Sequence, residues 1–326
     1  MDCIELIQIA GLGVSGAYLL NRLSSEGIEC EGYDPRPDGF PVPCGYALNS
    51  RLFFRFCELA SLDSEKYIQV VADDVIFTNS AGKSVHFSPA GLATIDKNAF
   101  LADLVEGKKR HHSQLKKTDS SITIDATGVS RSILGPVEQD FTMRTIEYIS
   151  DPTGDSGFRF RFFPFGSGYH WIFPLKSFSH VGAGSDDLDA IRESLEGTPH
   201  SRVLSRNIRL KPLFDNISSG NVIGVGESIG TVSPITGEGI VPSLECAEIL
   251  FQILRENDDL DTILEKYSEQ LRQSYSRYLR LFDLLMNVRN SRLLSLRNFG
   301  ALSPAREDLR YFGIEASITK IIAALL

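Results

Sequence analysis

The chain has no uninterrupted apolar run approaching the ~20 residues that a membrane-spanning helix requires, which argues against an integral membrane protein. Its 5 cysteines (Cys3, Cys30, Cys44, Cys57 and Cys246) are odd in number, scattered, and never spaced as CxxC. That argues against a disulfide framework or a structural zinc site. The 6 histidines show no metal-ligand spacing, and His111-His112, beside Lys108, Lys109 and Arg110, reads as part of a solvated loop. A basic excess is also missing. The formal net charge of −9 argues against a nucleic-acid partner, which would meet a basic face. The opening MDCIELIQIAGLG has an acid at position 2 and a buried-strand pattern, unlike a signal peptide, so a cytoplasmic location is expected.

With 42% hydrophobic and 23% charged residues, the composition is that of an ordinary soluble globule. At 326 residues, two lobes are expected on a prior of roughly one domain per ~150 residues.

The apolar run Ile4 to Ala10, bounded by glycines, predicts a buried parallel strand. Ala17, Leu19, Leu20 and Leu23 have helical spacing and Gly27 stops them; Ile28 to Tyr33 is a second strand closed by Asp34-Pro35. This is a βαβ unit. Tyr67 to Ser88 predicts two antiparallel strands around Asn79-Ser80-Ala81-Gly82. Ile95 to Val105 predicts a helix, and the polar stretch Glu106 to Ser121 breaks the pattern. Ser121 to Ala126 is another buried strand, Thr145 to Ser185 is strand-rich, and Asn221 to Gly226 is a short strand before a helix from about Gly239 to Arg255. Leu260 to Asn298 is expected to be helical. The order implies an α/β fold: a Rossmann-type dinucleotide-binding domain (1–66, 90–140 and 206–255) interleaved with a β-rich substrate domain (67–89 and 141–205), plus a C-terminal helical segment (256–326).

Gly11-Leu12-Gly13-Val14-Ser15-Gly16 is GxGxxG between strand and helix. Gly11 allows the tight turn, Gly13 clears the path of a pyrophosphate, and Gly16 lets helix and strand pack closely. The helix start offers amide donors to a phosphate. Asp34 ends the second strand, where its carboxylate can accept from ribose hydroxyls and would repel a 2′-phosphate. A structural turn with a surface Asp is the bland alternative, and the motif does not separate FAD from NAD.

The stretch GVGESIGTVSPITGEGI, from Gly224 to Ile240, does separate them. An NAD-only site has no need of a second ring-approaching glycine loop so far along the chain, whereas an extended FAD does. Gly226 and Glu227 face the ribityl hydroxyls in that reading, and the amides around Gly237, Gly239 and Ile240 face the flavin edge. The alternative is an ordinary helix start capped by glycines.

Here a resemblance becomes specific. GLGVSG with YDP, DATG at Asp125 to Gly128, and GES with SPITGEGI resemble the three FAD signatures of the p-hydroxybenzoate-hydroxylase-like flavoproteins. Pro41-Val42-Pro43-Cys44-Gly45, and Tyr169-His170-Trp171-Ile172-Phe173-Pro174 followed by Gly182-Ala183-Gly184, are similar to motifs of the geranylgeranyl reductase family. The resemblance covers about residues 4–250. Departures are Gly226-Glu227-Ser228 where the family has Gly-Asp-Ala, Lys97 where relatives often carry Arg, and a segment from Ala102 to Thr123 too short for the usual extra strands.

The resemblance implies FAD as cofactor and saturation of C=C bonds in geranylgeranyl chains of a diphosphate or lipid. It also implies NAD(P)H or ferredoxin as electron donor, and leaves a peripheral contact at a membrane surface open. It makes Cys44, Tyr169 and Trp171 the catalytic candidates. Two rivals share the fold: a flavin monooxygenase or halogenase acting on an aromatic substrate, and a non-catalytic flavin-binding protein.

Tyr169, Trp171 and Phe173 alternate, so on a strand they share a face as a wall beside the flavin or as plain core. Phe158, Phe160 and Phe162 share a face that could line a slot for an apolar chain but is expected to be core, and Arg159 and Arg161 on the opposite face are expected to be solvated. Arg131, just after the Asp125–Gly128 turn, could hold a phosphate or pair with a surface acid, and the second is the expectation.

Overall fold

The computed structural model describes residues 6–116, 122–257, 259–290 and 296–325. Cys3, and the Ile4 start of the first expected strand, lie outside them.

The first sheet has six strands, in the order Ser218–Ser219, Val222–Gly224, Ile122–Asp125, Ile7–Ala10, Cys30–Tyr33, Arg110–His111. All pairings are parallel except the short hairpin formed by its first two strands. Ile7–Ala10 sits at the centre and is buried throughout, as an apolar run in a two-sided parallel sheet must be. The helix Val14–Ser25 buries Ala17, Leu19, Leu20 and Leu23, the residues whose spacing announced it, and packs against the helix Ile240–Glu256.

The second sheet is larger and mostly antiparallel. Its order is Arg202–Arg209, Thr142–Ser150, Ser179–Ser185, Gly168–Pro174, Gly157–Phe162, Asp74–Thr78, Ser84–Pro89, Ile314–Glu315. The hairpin over 74–89 turns where expected, with Asn79 Oδ1 accepting from the amides of Ala81 and Lys83. The last strand, Ile314–Glu315, brings the C-terminal segment onto the sheet edge. A third, three-stranded sheet joins Ala47–Asn49, Leu92–Ile95 and Ile68–Val71. The fold is thus a Rossmann-type parallel unit interleaved with a β-rich layer and followed by helices.

The helical stretch expected from Leu260 is present as Leu260–Arg289, where the Asn290 amide bonds Met286 O, and a second helix spans Leu296–Phe312. Two expectations are corrected. His111 is not a loop residue. It extends the parallel sheet, its ring stacked 4.6 Å from that of Tyr33 and its Nε2 3.0 Å from Glu31 Oε2. Arg131 meets no surface acid. It is 3% exposed and donates to the carbonyls of Gly135, Ser228 and Asn216, tying the turn after Asp125 to the Gly226–Ile229 turn.

Candidate active site

The GxGxxG turn is shaped by steric exclusion. A Cβ on Gly16 would stand 1.9 Å from Gly11 O, so the helix rides on the strand–helix turn as only glycine allows. Gly13 has no atom within 4 Å of its would-be Cβ and opens into a cavity of about 850 Å³. Gly13, Val14 and Ser15 line that cavity; Gly11 and Gly16 stand behind its wall.

Gly237, Gly239 and Ile240, at the start of the Ile240–Glu256 helix, line the same cavity. So do Asp34, Cys44, Gly45, Gly128, Tyr169, Trp171 and Glu227. Of the remaining expected residues, Gly226 does not line it; a Cβ there would meet Ser15 Oγ at 2.5 Å, so it holds the two glycine loops together. Loops more than two hundred residues apart in sequence therefore face one space.

At one end of that space Asp34 accepts from the Leu12 amide at 2.9 Å and from Arg36, whose Nη2 lies 2.5 Å from Oδ2. Burial works against its ionised form, but Arg36 and the Leu12 amide prevail and hold it below the usual carboxylate range. Further in, Glu227 is ion-paired with Arg206 and accepts from the Arg209 amide at 3.1 Å. The set suits a long dinucleotide: an open glycine at a helix start, an acid at the end of the second strand, and a second acid and helix start lining the same cavity.

Two further motifs meet on this cavity. The loop around Cys44 and Gly45 lies against the strand Gly168–Pro174, with Tyr169, Trp171 and Phe173 on its cavity side. The rings of Trp171 and Phe173 are stacked, with centroids 6.3 Å apart. Gly182, on the neighbouring strand, makes room for the indole: a Cβ there would come 2.2 Å from Trp171 Cζ2. The Tyr169 hydroxyl donates to Thr236 O, linking this wall to the Gly237 loop, and burial pushes its pKa up. Trp171 Nε1 is buried without a protein partner.

Behind Cys44 lies a buried polar group that the sequence reading did not assemble. The Cys44 amide donates to Glu147 Oε1 at 3.1 Å, and His180 Nδ1 is 2.8 Å from the same oxygen. Lys97, 6% exposed, lies 4.6 Å from the Tyr46 ring centre on the same cavity as Cys44. Burial, together with the Arg206 charge, lowers its pKa.

The far end of the cavity is apolar. Phe77, Phe87 and Phe162 line it from the β layer, and Leu309, Phe312, Ile321 and Ala324 from the C-terminal helices. Phe158 and Phe160 are core, as expected, whereas Phe162 reaches the cavity. Arg159 pairs with Asp155 at the surface. Among the described residues no cluster of His, Cys, Asp or Glu is placed to hold a metal, and no helix is long and apolar enough to cross a membrane.

Arg206 and the Glu147–His180 pair were missed from sequence, and Lys97 was noted only as a departure from the family pattern. For Arg206 a signal existed: Leu204, Arg206 and Ile208 share one face of an alternating strand and all line the cavity, so the arginine is a lone cation on an inward face.

No protein-family model matches the chain. A digeranylgeranylglycerophospholipid reductase 3 from Methanosphaera stadtmanae is 30% identical over 143 residues, 37% of this chain and 36% of that relative, so the match spans little more than a third of its length. A digeranylgeranylglycerophospholipid reductase 2 from Methanopyrus kandleri is 23% identical over 316 residues, 85% of this chain and 74% of the relative. Among solved structures, a geranylgeranyl bacteriochlorophyll reductase-like protein from Thermoplasma acidophilum superposes with a TM-score of 0.77 at 16% identity, covering 98% of this chain and 96% of that one. A flavin-dependent halogenase from Xanthomonas campestris has the same fold at a TM-score of 0.63 and 16% identity, over 87% and 77% of the two chains. The resemblance to the geranylgeranyl reductase family, read from Cys44-Gly45 and the Tyr169–Pro174 motif, is thereby borne out: the chain's curated relatives are digeranylgeranylglycerophospholipid reductases.

Proposed function

We propose that this protein is an FAD-dependent oxidoreductase that saturates C=C bonds of geranylgeranyl chains carried on a diphosphate or a lipid. The observation that carries the reading is the single cavity: two remote glycine loops line its polar end, and aromatic and aliphatic side chains line the other. An extended dinucleotide suits the first, an isoprenoid chain the second. The names of the curated relatives point the same way.

When bound, reduced flavin supplies a hydride to one carbon of the alkene. The chain's own residues have the remaining tasks. Gly13, Val14 and Ser15 offer backbone amides to the diphosphate, Asp34 accepts from the ribose, and Glu227 accepts from the ribityl chain. Trp171, Tyr169 and Phe173 wall the place where the alkene lies, and exclude water from it. An unactivated alkene has no carbonyl to polarise, so placement and a proton source must do the work. Cys44, which lines the cavity together with Lys97, is the candidate to bring that proton. NAD(P)H or ferredoxin would reduce the flavin, and a lipid substrate would reach the apolar end by peripheral contact with a membrane surface.

The test has two stages. Purified protein reconstituted with FAD should show oxidised-flavin absorption bands. Reduced anaerobically with dithionite, it should then add hydrogens in pairs to geranylgeranyl diphosphate or digeranylgeranylglycerophospholipid, read by mass spectrometry. Failure to take up flavin removes the proposal at its root. Flavin binding with no reduction of either substrate, but NADPH-driven oxygen consumption with an aromatic compound, would replace the reductase by a monooxygenase.

A further inference from the structure

Glu147 and His180 stand where the pattern of the larger sheet calls for apolar side chains. The register sets Glu147 opposite Gly182, Gly182 opposite Trp171, and Trp171 opposite Phe160, so these positions share one face. His180 lies opposite Phe173 on the same face. That face is aromatic, and both polar residues are fully buried in it.

A carboxyl group sunk in such a place is costly unless the protein holds it. Two groups approach Glu147 Oε1: the Cys44 amide donates to it at 3.1 Å, and His180 Nδ1 lies 2.8 Å away. Its Oε2 has no partner among the described residues. The segment that Glu147 reaches needs holding. Tyr46 has a left-handed backbone (φ 57°), which a bulky residue keeps only where its surroundings impose it. The Tyr46 ring lies 4.6 Å from the His180 ring on one side and 4.6 Å from the Lys97 ammonium. Glu147 therefore grips the segment at the backbone of Cys44, and His180 meets it at the ring of Tyr46, one residue to either side of Gly45.

We infer that the Glu147–His180 pair positions Cys44, Glu147 through the Cys44 amide and His180 through the Tyr46 ring, and so fixes where the thiol meets the cavity. Neither residue lines the cavity, so both are positioning residues and not catalytic ones. The task of the thiol rests on the function proposed above; its placement rests on these contacts alone.

The test reads Cys44 directly. The flavin-free full-length chain is alkylated with iodoacetamide, and the rate at Cys44 is followed by peptide mass spectrometry, which separates it from the buried Cys30, Cys57 and Cys246. Thermal melts run in parallel. Glu147→Leu combined with His180→Phe replaces the pair by apolar groups, an exchange that buried ion pairs tolerate without loss of stability. This double variant should keep its Tm, yet Cys44 should alkylate about tenfold faster, the worth of one buried hydrogen bond in the opening of the segment. Glu147→Gln keeps the acceptor for the Cys44 amide and should alkylate within about twofold of wild type. With FAD restored, the double variant should lose about tenfold in kcat at unchanged KM, as expected of a misplaced proton source, whereas Glu147→Gln should retain its turnover. If the double variant does not fold, hydrogen exchange at the Cys44 amide of wild type decides: slow exchange supports the inference, and exchange at the rate of a free peptide overturns it. An unchanged alkylation rate in the folded double variant also overturns it. So does faster alkylation of Cys30, Cys57 and Cys246 together with Cys44, which would mean that the pair only supports the fold. Selective acceleration at Cys44, beside a wild type that reduces no isoprenoid, would keep the placement and sink the reductase reading alone.

Discussion

Gly45 lies flat against the ring of Phe173: a Cβ built on Gly45 would stand 2.4 Å from Phe173 Cδ2 and 2.7 Å from Cε2. The Cys44 loop and the aromatic strand are thus in direct contact, and the position of Cys44 over the cavity depends on the ring beside it. Gly45→Ala should displace one or the other. Overpacking of this kind costs about 1–3 kcal/mol, so a drop of several degrees in Tm is expected. Gly45→Ala with Phe173→Leu should recover part of that loss. A Gly45→Ala protein that melts with wild type would show that the loop can lift away freely.

Cys44 and Tyr169 are both candidates for the proton, but their surroundings differ. The Tyr169 hydroxyl is already committed to Thr236 O, whereas the Cys44 sulfur faces the cavity beside Lys97. Tyr169→Phe should therefore cost stability, about 0.5–1.5 kcal/mol for one buried hydrogen bond, and keep most of the turnover. Cys44→Ala should keep bound flavin and lose at least about tenfold in kcat, within the usual worth of a general acid. Single-turnover reduction with prereduced enzyme separates the two. Full activity in Cys44→Ala would pass the proton to a bound water.

Much of this arrangement can be read locally. Gly11, Gly13 and Gly16 reveal their roles by spacing alone, because the steric demands of a strand–turn–helix fall within one turn of chain. The alternation of Tyr169, Trp171 and Phe173 names a shared face for the same reason. What escapes such reading is pairing across the fold. Cys44 meets Glu147, Glu147 meets His180, and Glu227 meets Arg206 only because sheet register and loop return bring them together. Arg131 shows the opposite error. An arginine just past a glycine turn looks solvent-exposed, yet its backbone turns left-handed (φ 44°) and its side chain enters a nest of carbonyls.

Glu238 and Asp308 predict a pH dependence of stability. Both are buried where the Ile240–Glu256 helix start meets the C-terminal helices. Burial pushes the Glu238 carboxyl from 4.5 up to about 8, against the pull of the Val241 amide, with the neighbouring Asp308 adding to the rise. Burial likewise pushes Asp308 from 3.8 up to about 6, against its bond from Ser233 and the charge of Arg277. A carboxyl with a raised pKa holds its proton longer in the folded state than in the unfolded chain. Its stabilising contribution is therefore complete below its unfolded value and is lost as pH rises through the folded value. Between pH 4.5 and about 8 the Tm should fall with rising pH. Glu238→Gln keeps the acceptor for the Val241 amide, 2.8 Å away, and should flatten the upper part of that slope. An identical slope in the variant would mean that Glu238 is ionised in the fold.

In the proposed function the apolar end of the cavity seats the isoprenoid chain, and substitution there should change the chain length accepted. Ala324, 4% exposed on the helix Ile318–Leu325, lines this end together with Ile321 and Phe312. All three lie far in sequence from the residues assigned to the cofactor. Ala324→Trp should fill space there without touching the glycine loops, so flavin affinity should stay within about twofold while long isoprenoid chains lose their seat. The expected signature is a KM for geranylgeranyl substrates raised about tenfold or more, since each displaced methylene is worth about 0.8 kcal/mol of burial, with geranyl or farnesyl analogues much less affected. Equal loss across all chain lengths would indicate a collapsed cavity, and no loss at all would mean that the chain takes another route past the C-terminal helices.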